Sequence, residues 1–286
     1  MLLTAGSILL GILGGVATAA DIAVDEAGLP AVSGPNGKLE FGGGWVDLDG
    51  LGNDEIFSGG AALSFPVGDM FGIQADLAAV DAYSDTTVTA TLHAFTRDPN
   101  AYLLGAIGGY ADAGSTHAWF IGPEAELYLD NVSIELRGGY MDVNGSATLN
   151  SEAFAFGDIA YYATDDVRLS IGASSVAGFQ SANAGLEWFL GEQGLPGSLT
   201  LNGQVGEDGF TAITAGFAVY FGSEDKSLIR RHREDDPKIF KLGIFEGAAS
   251  VITPGGANEE CPDGEFWNGE FCEPIVPRQL STSTTN

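Results

Sequence analysis

The chain has 286 residues, with 39 acidic against 11 basic ones, a formal net charge of −28, and 42 glycines. That balance excludes nucleic-acid binding, which needs clustered Lys and Arg against phosphate. Charged residues are 17 % of the chain, against about 25 % in ordinary soluble domains, and few stretches suit an exposed helix.

Residues 1–20, MLLTAGSILLGILGGVATAA, form an apolar run that ends in small residues, with Ala17-Thr18-Ala19 as an A-x-A-like cleavage site. They read as a signal peptide, although no Lys or Arg lies ahead of the apolar run. No later stretch approaches the roughly 18 apolar residues of a helical span, so membrane integration has to use strands. Residues 21–37, rich in Ala, Gly and Pro, read as an N-terminal arm.

From Lys38 onward the chain alternates at a period of two, the side-chain period of a strand. In residues 38–47, Leu39, Phe41 and Trp45 oppose Glu40, Gly42 and Gly44. In 57–65, Phe57, Leu63 and Phe65 oppose Ser58, Gly60 and Ser64; in 71–80, Phe71, Ile73 and Leu77 oppose Gly72, Gln74 and Asp76. Residues 87–95 set Val88, Ala90 and Leu92 against Thr89, Thr91 and His93, and Arg97-Asp98-Pro99-Asn100 reads as a tight turn. Residues 101–110 are apolar on both faces, which leaves their facing open. The hairpin of 117–129 and 132–141 turns Glu124, Glu126, Glu135 and Arg137 to one side and Leu127, Ile134 and Leu136 to the other. Further strands are expected at 152–162, 167–176, 181–190 (with Glu187 on the polar face) and 198–205.

The last strand, in 210–221, places Ile213, Ala215, Phe217, Val219 and Phe221 on one face and Thr214, Gly216, Ala218 and Tyr220 on the other. The series counts about twelve strands, an even number suited to an all-β, antiparallel, up-and-down transmembrane barrel. Tight turns alternate with slightly longer connectors, which predicts a short-turn periplasmic rim and a looped outer rim. A soluble sandwich would set its polar face toward water, with Lys and Glu; here that face is Gly, Ser, Thr and scattered acids.

Residues 38–221 resemble porin-like outer-membrane β-barrel proteins of Gram-negative bacteria, on the strand pattern and on Ile213, Phe217, Val219 and Phe221 as a closing-strand signal. The resemblance implies export to the outer membrane, contact with its lipid and lipopolysaccharide, handling by barrel-assembly machinery, and passive passage of small solutes.

In this register Glu40, Asp76, His93, Glu124, Glu126, Glu135, Arg137 and Glu187 line the lumen. An acidic wall favours cations over anions, and the same side chains can equally pair with one another. Catalysis has little support: the histidines are His93, His117 and His232, and no HExxH or GxSxG occurs. A lipid-modifying enzyme built on His93 with Ser133 or Glu135 is the weakest reading. A non-conducting structural or adhesive barrel is the stronger alternative to a channel. No cofactor and no metal are implied.

Residues 222–286 read as a mostly irregular periplasmic tail. Its basic cluster, Lys226 to Arg233, suits a short helix ended near Pro237, which either meets the acidic lumen, touches peptidoglycan or a periplasmic protein, or is a solvated linker, the favoured reading. Cys261 and Cys272 in an exported chain are expected to close a small disulfide loop around Phe266 and Trp267.

Overall fold

The computed structural model describes residues 28–114, 116–144, 152–191, 194–222, 226–235 and 238–241, with short strands at 265–267 and 272–274. The expected signal peptide and Cys261 lie outside the described residues.

Twelve antiparallel strands close into a barrel: β1 (Asn36–Leu48), β2 (Gly52–Val67), β3 (Phe71–Ala82), β4 (Asp85–Asp98), β5 (Tyr102–Ala113), β6 (Thr116–Leu129), β7 (Val132–Asn144), β8 (Glu152–Thr164), β9 (Val167–Val176), β10 (Phe179–Phe189), β11 (Gly197–Gly206) and β12 (Thr211–Phe221). Every strand pairs with its sequence neighbours, and β12 returns to β1 in a register running from Gly37↔Phe221 to Asp47↔Thr211. Closure leaves no unpaired edge, the condition for strands to cross a lipid layer.

The period-two faces sort as the residue types require. Trp45 and Ile121, each 67 % exposed, join Phe41, Phe57, Leu77, Leu92, Ile171 and Ile213 on the outside. In water a band of that size would be an aggregation surface; in lipid it is the required face. Of the closing-strand residues, Ile213 and Phe221 are exposed on this outer face, and Phe217 and Val219 are partly exposed.

The predicted contrast between rims is corrected. The rim that carries both barrel ends, here the proximal rim, has tight connectors at 68–70, 99–101, 130–131 and 165–166 and a longer one at 190–196, and among the described residues the opposite, distal rim is as tight at 49–51, 83–84 and 177–178. Its hairpins turn on Tyr83-Ser84, with φ of 53° and 64°, and on Ala177-Gly178, with φ of 48° and 86°. Two successive positive φ values are the twist-matched turn of a two-residue hairpin. Neither Tyr-Ser nor Ala-Gly carries the Asn-Gly or Asp-Gly signal, so the strands run further toward this rim than composition suggests.

Beyond the barrel, α1 (Leu228–Glu234) forms where the basic cluster predicted a short helix. Two short strands, β13 (Glu265–Trp267) and β14 (Cys272–Pro274), pair antiparallel.

Candidate functional site in the barrel lumen

The interior of the barrel is layered. At the distal rim, inward Val46, Ile56, Val80, Phe179 and Phe210 pack together, with Ile56 and Phe210 at most 1 % exposed. At the proximal rim, Val32 of the N-terminal arm covers Phe95, Leu103 and Tyr128, while Leu228 of α1 covers Tyr162, Phe189 and Tyr220. Between these apolar layers lies a band of charge.

One chain of contacts crosses that band. Ser64 Oγ donates to Gln74 Oε1 at 2.7 Å, and Gln74 Nε2 to Asp76 Oδ1 at 2.7 Å. Asp76 Oδ2 lies 3.0 Å from His93 Nε2, and Glu124 Oε2 lies 2.9 Å from His93 Nδ1 and 3.6 Å from Arg137 Nε. His93 is on β4 and Glu124 on β6, so the contact must pass over β5. Gly105 makes room: a Cβ there would lie 2.7 Å from Phe95 Cβ and 3.0 Å from Glu124 Oε1.

The remaining charges pair between strands. Glu126 and Glu135 stand directly opposite each other on β6 and β7, a repulsive placement. Arg168 Nη2 takes Glu135 at 2.7 Å, while Arg137 Nη2 approaches Glu126 at 3.7 Å and the Tyr128 hydroxyl donates to Glu126 Oε2 at 2.9 Å.

All eight sequence-predicted lumen residues point inward. His93 is fully buried, Asp76, Glu124, Glu126, Glu135 and Arg137 are at most 9 % exposed, and Glu40 and Glu187 are partly buried. Four further charges line the lumen: Arg168, paired with Glu135, and three that were missed. Lys38 and Asp158 were legible by parity, two residues from Glu40 and from Phe156, but nothing distinguished them from rim residues. Arg97 was assigned to a turn; it belongs to β4, is 4 % exposed, and sits 4.7 Å over the Phe95 ring.

The favoured reading of the basic cluster as a solvated linker is corrected as well. Helix α1 caps the proximal mouth, with Arg231 4.8 Å over Phe189 and Arg233 5.0 Å over Tyr128. Arg233 also donates to the Val132 carbonyl at 2.9 Å, and His232 Nδ1 lies 2.9 Å from the Tyr162 hydroxyl. Lys226 Nζ reaches Glu234 at 3.0 Å and Asp235 at 2.6 Å, and the Ser33 hydroxyl joins Asp235 at 2.5 Å, tying the helix to the N-terminal arm.

Past the helix, residues 238–241 enter the lumen. Phe240, 0 % exposed, lies 5.0 Å from the Phe120 ring, 5.3 Å from Phe156 and 6.0 Å from Phe154, and its backbone N–H donates to Asp76 Oδ2 at 3.0 Å. Lys241 Nζ meets Glu40 at 2.6 Å, Lys238 Nζ meets Asp158 at 3.6 Å, and Ile239 packs on Ala62 and Ala78. Beside the segment a cavity of about 190 Å³ is lined by Asn183, Thr200, Asn202 and Glu187 on the β10–β12 side and by Glu126, Glu135 and Arg137 across from them, so β9–β12 border open space that carries polar groups.

The arrangement leaves His93 little catalytic scope. Both ring nitrogens already face carboxylate oxygens, and the Ser133 hydroxyl accepts from Arg233 instead.

A closed, even-numbered antiparallel barrel with an apolar exterior and a charged interior is the architecture of outer-membrane β-barrels. Among solved structures, the KdgM porin, also known in complex with disordered oligogalacturonate, has a TM-score of 0.50 at 10 % identity, covering 65 % of this chain and 99 % of its own. The Acinetobacter baumannii outer membrane protein Omp33 has a TM-score of 0.40 at 11 % identity, covering 65 % and 99 %. Outer membrane phospholipase A from Escherichia coli has 0.43 at 14 %, covering 65 % and 92 %. No family model and no curated protein matches the chain.

Proposed function

We propose that this protein is an integral outer-membrane channel of the porin-like kind, non-enzymatic, preferring small cations and held shut by its own C-terminal segment. The observation that carries the reading is the seating of residues 238–241 against Glu40, Asp76 and Asp158, beside the polar cavity. Within the charge band the wall brings Glu40, Asp76, Glu124, Glu126, Glu135, Asp158 and Glu187 against Lys38, Arg97, Arg137 and Arg168. Carboxylates are in excess, and Lys238 and Lys241 offset most of that excess while the segment is in place. Once it leaves, the wall is cation-attracting. A polyanion of the kind named with the KdgM porin would meet repulsion here.

Magnitudes suggest what holds the segment. Burying Phe240 and Ile239 stabilises its seating by about 4 kcal/mol, against about 1 kcal/mol or less for each partly exposed lysine pair. Salt alone is therefore a weak key.

Planar-bilayer recording tests the reading. Full-length protein is expected to show small or rare openings. A variant carrying a protease site in place of residues 223–225, cut after folding, is expected to conduct steadily with K⁺ preferred over Cl⁻. Anion preference overturns the reading. The apolar layer at the distal rim, with Ile56 and Phe210 buried, favours a second reading, a non-conducting structural barrel; silence of the cut protein would establish it.

A further inference from the structure

The way the lumen holds residues 238–241 specifies a ligand as well as a closure. Four contacts of three chemical kinds run along residues 238–241. A cup of Phe120, Phe154 and Phe156 receives one aromatic ring. Asp76 accepts the backbone N–H of the residue bearing that ring, and Glu40 and Asp158 receive an ammonium on either side of it. The cup is rigidly backed: Phe154 and Phe156 pack on each other at 5.9 Å, and Phe120 meets Phe154 edge-on at 6.1 Å. Opposite the cup, the wall is kept small at Gly60, where a Cβ would lie 3.3 Å from Ile239.

These features form a recognition site for a short basic–aromatic peptide, and nothing about them requires that the peptide be covalently joined to the barrel. The aromatic cup supplies affinity, while the flanking carboxylates reject neutral and acidic sequences. We infer that the lumen is a binding site for basic–aromatic peptides presenting an aromatic residue between lysines, and that residues 238–241 are its resident, tethered competitor. This inference rests on the reading that the segment can leave the lumen, and it gives the channel reading a candidate cargo or blocker.

Tethering sets the competition. A segment joined through a short link acts at an effective concentration in the millimolar range, so a free peptide displaces it only when the link is cut or the anchor weakened. That explains how one site can be both a closure and a receptor without contradiction.

The test uses the full-length protein carrying a protease site in place of residues 223–225, folded whole, cut, and titrated by calorimetry and fluorescence anisotropy with a labelled synthetic peptide of residues 226–241. Saturable binding that displaces the cut tail is expected. A peptide carrying Phe240→Ala, and one carrying Lys238→Glu with Lys241→Glu, should each bind at least tenfold more weakly. A barrel carrying Glu40→Gln with Asp158→Asn should lose about the same factor for the native peptide and little for the charge-reversed one. A second protein, uncut and carrying Phe240→Ala, offers the emptied cup if the cut tail is slow to exchange. It should bind the tetrapeptide Lys-Ile-Phe-Lys and not Glu-Ile-Phe-Glu. Equal binding of all peptides, or no saturable binding to either protein, overturns the inference. Because calorimetry needs no current, specific binding to a silent barrel would overturn the channel reading alone.

Discussion

Strands β4–β8 turn Leu103, Ile107, Phe120, Phe154 and Phe156 into the lumen, whereas β9–β12 turn Ser170, Asn183, Thr200, Asn202 and Thr214 there. The first half is packed as the core of a soluble domain is packed, with an ionic relay sealed inside it; the second half borders open, polar space. The C-terminal segment lies between them, its ring in the packed half and its Lys238, Ile239 and Lys241 bordering the cavity. The contrast teaches that one continuous wall can be a stability element on one side and a lining on the other, so identical substitutions should behave differently across it.

The largest expected effect is in the relay. Glu124→Ala removes a partner of both His93 and Arg137, and breaking a buried ionic contact of this kind costs about 3–5 kcal/mol. Gly105→Leu should cost a similar amount by filling the space the contact crosses. Denaturant unfolding in detergent reads both, and Asn202→Ala on the open half should stay within about 0.5 kcal/mol of wild type. An equal loss at Asn202 would erase the distinction between the halves.

Next is the anchor. Phe240→Ala should weaken the seating of the segment by about 3 kcal/mol, the usual cost of emptying a buried aromatic site, while the barrel itself unfolds nearly as before. Faster cleavage of the 236–237 stretch by added protease, with unchanged heat-modifiability, is the expected pattern.

A smaller effect follows acidity at the proximal mouth. Burial works against the Glu234 carboxylate, but hydrogen bonds from Arg230 and Lys226 outweigh it and hold its pKa below the ordinary carboxylate value. Its contribution to the helix latch is therefore complete above the ordinary carboxylate pKa and is lost as pH falls through the lowered one. Opening frequency should rise on that descent, and Glu234→Gln should remove this component of the rise. The smallest change is expected from Asn202→Asp, which adds fixed negative charge at an exposed position of the open half: stronger K⁺ preference in the cut protein, and little change in unfolding.

Much of the barrel was legible because lipid and lumen impose opposite demands on alternate residues. Leu127, Ile134 and Leu136 outside and Glu126, Glu135 and Arg137 inside could be sorted by parity alone. Parity failed where both faces are apolar. Residues 102–113 carry Leu103 and Ile107 inward because the lumen there is a core, and a core needs the same residue types as lipid does. Tyr83-Ser84 and Ala177-Gly178 were missed as hairpin turns because closure of the barrel, not residue preference, holds non-glycine residues at positive φ.

By itself, the sequence determined that strands span the membrane, which face of most of them meets lipid, and that the interior is acidic. These follow from local period and composition. Only the tertiary structure decided which acids meet which cations, and that Lys238, Phe240 and Lys241 occupy the site those acids form. Contacts between β1, β3, β6, β8 and a segment near residue 240 are set by the closure and stagger of the barrel, and no spacing along the chain encodes them.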